Sequence, residues 1–74
     1  MEIENHAEEV TNFLLKNKDT SVEKFKPIAD KIPPMDRADV FFDAGLKIKY
    51  MTVPPASKLQ MQNALLRLRA EYEH

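Results

Sequence analysis

Apolar residues recur along this chain with a helical period, and proline cuts the pattern into pieces. Ile3, Ala7, Val10 and Leu14 follow at spacings of four, three and four, one face of a helix from about Ile3 to Lys16. Glu2, Glu4, Glu8 and Glu9 crowd its first half, and Lys16 and Lys18 its end, as the helix dipole favours. Asn17 to Thr20 then reads as a turn. In the next stretch, Ser21 to Pro34, Val22, Phe25, Ala29 and Ile32 keep the period, and Thr20 or Ser21 can cap the start. Pro27 interrupts it by removing a backbone donor and biasing Lys26 away from helical angles. The expected form is two short turns strapped across a core and stopped by Pro33-Pro34.

The third segment, about Asp36 to Met51, reads as a helix with Asp36 and Asp39 in its first turn and Lys47 and Lys49 in its last. Thr52-Val53-Pro54-Pro55 is a short connection, and proline at the first position of a helix is favoured because its missing donor would be unpaired anyway. The fourth segment, about Pro55 to Tyr72, is rich in strong helix formers. So short a link between two helices implies an antiparallel hairpin. No alternating run of β-branched and aromatic residues marks a strand. The expected class is all-α: a small helical bundle with a C-terminal antiparallel helix hairpin. Residues 1–34 form an N-terminal helical extension and residues 35–74 the hairpin, one structural domain overall.

The two hairpin helices each carry two apolar arcs. At about 100° per residue, Met61, Ala64, Leu65, Leu68 and Tyr72 share one side of the fourth segment, and Leu59, Leu66 and Ala70 the opposite side. Val40, Phe41, Ala44, Ile48 and Met51 share one arc of the third segment, and Phe42, Leu46 and Tyr50 another. A hairpin of two helices buries only one face of each, and large contiguous apolar patches are rare on soluble monomers. Two destinations remain open for the second faces. Residues 1–34 can fold back over them, or a second copy of the hairpin can complete a four-helix dimer.

Size sharpens that choice. A chain of 74 residues holds one domain and buries only about 60% of the surface its unfolded form exposes. Small domains with so little core usually add disulfides, a metal or a partner subunit. The chain has no Cys, which removes disulfides and thiolate metal sites. Partnering is the stabiliser left.

Charge and chemistry narrow the function by exclusion. The net charge is -1, so no overall field draws the protein to nucleic acid or membrane. Residues 1–20 carry five acids against two bases, and residues 46–74 five bases against two acids. The acidic, polar start does not resemble a secretory signal, and no run approaches the roughly 20 apolar residues that span a bilayer. His6 and His74 lie near opposite ends without a second ligand at metal-binding spacing. Ser21 and Ser57 lack an activating motif, and Gly45 stands outside any phosphate-binding loop. A non-enzyme without cofactor or metal is expected. Gly45 lies within a helix beside Phe41, Phe42 and Tyr50, where close helix packing is its expected reason.

From Asp39 onward, the strings Asp-Val-Phe-Phe-Asp-Ala-Gly-Leu, Val-Pro-Pro and Gln-Met-Gln-Asn-Ala-Leu-Leu-Arg-Leu resemble a BESS motif. Asp39, Phe41, Phe42, Leu46, Pro54, Pro55, Leu65 and Leu68 occupy its matching places, over about residues 38–73. Gly45 stands where serine is often found, and Gln62 where a basic residue is often found. The resemblance implies a protein–protein interaction module of insect transcription regulators and chromatin-associated proteins, located in the nucleus. It implies self-association or association with other BESS-type or chromatin regulators, with DNA binding left to a separate domain.

The expected function is therefore dimerisation through apolar helix faces, with Phe41, Phe42, Leu46, Tyr50, Leu59, Leu65, Leu66 and Leu68 as the interaction residues. Phe42, Leu46 and Tyr50 with Leu59 and Leu66 form the preferred seam between chains. The alternative seam swaps faces and uses Phe41, Ile48, Leu65 and Leu68. Competing readings are a direct nucleic-acid-binding helical module, a monomeric bundle that binds another protein's helix, and a lipid or small-molecule carrier with an internal cavity.

Overall fold

A computed structural model describes residues 2–17 and 21–72 of the chain. Four α-helices follow in order, α1 (Glu2–Lys16), α2 (Val22–Ala29), α3 (Arg37–Tyr50) and α4 (Pro55–Tyr72), with one turn of 3-10 helix at Pro34–Asp36 leading into α3. No strand occurs among the described residues. The radius of gyration, 11.1 Å, equals the roughly 11 Å of a closed globule of this length. The helices therefore fold onto one core.

The stripe read from α1 is the stripe it buries. Ala7, Val10 and Leu14 are fully covered, and Ile3 packs at their edge. Thr11 lies beside them and is also buried. Its hydroxyl donates to the Ala7 carbonyl at 2.8 Å, so burial leaves no polar atom stranded. The Asn17 N–H donates to the Phe13 carbonyl at 2.9 Å as α1 ends. The rest of the expected turn, Lys18 to Thr20, lies outside the described residues, as do Glu73 and His74.

The segment after Ser21 differs from its expected form. It is one continuous helix, α2, with Pro27 inside it, where two separate turns were expected. Ser21 caps the start, its hydroxyl oxygen accepting from the Lys24 N–H at 3.3 Å. Pro27 leaves the Glu23 carbonyl without its helical donor. Both residues are exposed, so solvent can replace the missing partner. Phe25, Ala29 and Ile32 on the other side are buried, and their burial outweighs the proline penalty. Tightened bonds then close the end: the Lys31 N–H donates to the Ile28 carbonyl at 3.1 Å and the Ile32 N–H to the Ala29 carbonyl at 3.0 Å.

Phe25 ties the two halves of the chain together. Its ring lies 5.5 Å from Phe13 of α1, 6.1 Å from Phe41 of α3 and 5.8 Å from Tyr72 of α4, centroid to centroid. Those separations are in the range where aromatic pairs attract beyond simple area burial. Arg37 adds a clasp on the same side. Its guanidinium lies 5.4 Å from the Tyr72 ring centroid, and Nη2 donates to the Ala29 carbonyl at 3.5 Å.

The most extensive helix contact is α1 against α3, followed by α3 against α4. Val40, Phe41, Ala44 and Ile48 of α3 and Met61, Ala64, Leu65 and Leu68 of α4 complete the core. One arc of each helix thus serves all the packing within the chain. Helices α1 and α2 pack on that arc and leave the second one bare.

Candidate interaction surface

The second arcs of α3 and α4 remain on the surface. Phe42 is 61% exposed, Leu46 39% and Tyr50 75%, with Leu59 at 62% and Leu66 at 60%. The α3 residues are spaced by four and form one ridge along the helix. Leu59 and Leu66 are two turns apart on one side of α4. Single exposed apolar residues are ordinary, but five large ones on two adjacent helices are a feature.

The remaining expected interaction residues lie elsewhere. Phe41, Leu65 and Leu68 are 0%, 2% and 1% exposed, and the Ile48 of the alternative seam is equally covered. Phe41 faces the Phe25 ring. These side chains form the chain's own core, and the folded chain presents none of them at its surface. The cause is α1 and α2, whose stripes match that arc.

Two contacts set the relative level of α3 and α4. Near the connection, Lys58 Nζ donates to the Lys49 carbonyl at 2.9 Å. That bond places a cation on a carbonyl at the end of α3, where the helix dipole is negative. Deeper along both helices, a Cβ built on Gly45 would meet Leu65 Cδ2 at 3.6 Å, an ordinary van der Waals separation. The close approach expected at Gly45 is therefore loose enough to admit a methyl group, and the glycine's φ is not positive. Packing does not require glycine there.

The chemistry bordering the patch is cationic at one end and mixed at the other. Lys47, Lys49 and Lys58 surround the α3–α4 connection, and Lys49 Nζ lies 5.5 Å from the Tyr50 ring centroid. Asp39 and Asp43 precede them on α3, and Asp43 meets Lys47 at 3.9 Å. Towards the far end of α4 stand Arg67, Arg69 and Glu71. Lys58 and Lys49 are joined through a backbone carbonyl, a contact no periodicity argument reaches. Met35, 86% exposed in the 3-10 turn, and Leu15, 38% exposed on α1, are further apolar surface residues that lie outside both repeating arcs.

No pocket opens among the described residues. Among the described residues no three His, Asp or Glu side chains converge as a metal site would need. No described helix is long and apolar enough to cross a membrane. Comparison with protein-family models, curated proteins and solved structures finds no match to this chain.

Proposed function

We propose that α3 and α4 form an antiparallel hairpin whose outer apolar face joins two copies of the chain, making this a dimerisation module of a nuclear transcription or chromatin regulator. The observation that carries this reading is the set of five large apolar side chains left exposed beside a closed core. The core already uses Phe41, Leu65 and Leu68 internally, so the association surface consists of Phe42, Leu46, Tyr50, Leu59 and Leu66. The Lys58–Lys49 and Gly45–Leu65 contacts support the hairpin, because both keep α4 beside α3 as it runs back from the connection.

The regulatory role rests on the likeness of residues 38–73 to the BESS pattern. It also suits the net charge of -1, which leaves contact with nucleic acid to another part of a regulator. Association works by removing apolar surface from water, worth roughly 25 cal/mol per Å² before the costs of ordering two chains. The test is co-purification of two differently tagged copies expressed together. Wild-type copies should co-purify, and Leu46→Asp in both should abolish capture. Equal recovery with the variant would contradict the reading.

A further inference from the structure

The exposed patch has a symmetry that limits how a second copy can sit on it. On α3, Leu46 lies midway between Phe42 and Tyr50, about 6 Å from each along the axis. On α4, the point midway between Leu59 and Leu66 falls at Gln62 and Asn63, about 5 Å from each leucine. The Lys58–Lys49 and Gly45–Leu65 contacts, interpolated along antiparallel helices, set Leu46 level with Gln62 and Asn63. Both rows of apolar residues are therefore balanced about one common level.

The two arrangements open to a closed, face-to-face pair differ in their charges. If the two-fold axis runs parallel to the helices, like ends meet. Lys49 and Lys58 of one copy then confront the same two lysines of the other. If the axis runs across the helices at the level of Leu46, opposite ends meet. The lysine end of each copy then faces an end whose charges, Asp36, Arg37, Asp39, Arg67, Arg69 and Glu71, balance to zero, so the repulsion is absent. Like charges across an interface are repulsive and opposite charges fix its register.

Resting on the dimer reading above, we infer that the second copy docks with its α3 antiparallel to this chain's α3, about a two-fold axis through Leu46. In that register Leu46 meets its own counterpart. Phe42 packs on the other copy's Tyr50, Leu59 faces Leu66, and Asp43 comes level with Lys49. Each apolar side chain of the patch has an apolar counterpart.

The absence of native cysteine makes the register directly measurable. Single-cysteine variants of the full chain are oxidised at a concentration where the wild type sediments as a dimer. Leu46→Cys should cross-link to itself, and Phe42→Cys mixed with Tyr50→Cys should give the mixed dimer, each at least tenfold faster than the exposed control Lys24→Cys. Disulfides need Cα atoms within about 7 Å, so Phe42→Cys alone should stay at the control rate. Preferential coupling of Phe42→Cys with Leu66→Cys, without self-coupling at position 46, would mean the parallel axis and overturn the register while leaving the dimer. Control rates for every pair in a wild type that still dimerises would overturn this face as the contact. A wild type that sediments as a monomer throughout would remove the dimer itself.

Discussion

Gly45 and Leu65 face each other across α3 and α4 with room for one more methyl group, the added Cβ falling 3.6 Å from Leu65 Cδ2. Glycine inside a helix costs about 1 kcal/mol relative to alanine, and neither φ nor sterics repays that here. Gly45→Ala should therefore raise stability by roughly 0.5–1 kcal/mol, read as a higher urea midpoint at unchanged slope. A lower midpoint would mean that the helices sit closer than described.

Leu68 and Phe41 should behave as interior residues. Both are essentially without solvent exposure, and truncating a buried side chain of this size costs about 2–5 kcal/mol. Leu68→Asp adds the burial of an unpaired charge, enough to exhaust a total stability of about 5–15 kcal/mol. Its circular dichroism should be that of a largely unfolded chain. A folded Leu68→Asp protein would place that leucine on the surface.

The Arg37 clasp holds the end of α4 against α2 and the start of α3. Removing it by Arg37→Ala loses the contact with the Tyr72 ring and the bond to the Ala29 carbonyl. The expected loss is about 1–2 kcal/mol, with faster amide exchange in the last turn of α4 than elsewhere. Arg37→Lys should recover only part, since an ammonium lacks the planar stack.

Pro27 is the costliest residue in α2, because it denies the Glu23 carbonyl its donor. Pro27→Ala restores that bond, against a loss of about 0.4–1 kcal/mol from a freer unfolded chain. The net should be a gain on the order of 1 kcal/mol, together with a rise in helical ellipticity. No change in ellipticity would contradict the continuous helix.

Much of this fold was legible in the residue pattern. The arcs Val40-Phe41-Ala44-Ile48 and Met61-Ala64-Leu65-Leu68 are buried as spaced, and α4 runs from Pro55 to Tyr72 as its composition indicated. The pattern failed at Pro27, where a local penalty was weighted above the burial of Phe25, Ala29 and Ile32 on the other face. It also could not choose between the two arcs of α3 and α4. Each arc is apolar and correctly spaced, so the choice depends on which one α1 and α2 cover, a contact between residues far apart in sequence. The Lys58–Lys49 bond and the Arg37 clasp belong to the same class: each joins elements whose relative placement no single period encodes.

Whether the bare arcs are an association surface is decided by sedimentation equilibrium on wild type and Leu46→Asp over a hundredfold concentration range, with melting followed in parallel. Leu46 lies outside the core, so its aspartate variant should stay folded and monomeric. The wild type should shift from monomer toward dimer as concentration rises, with a melting temperature that rises alongside, since a partner that binds only the folded chain stabilises it by mass action. A wild type that remains monomeric with a constant melting temperature would contradict the dimer.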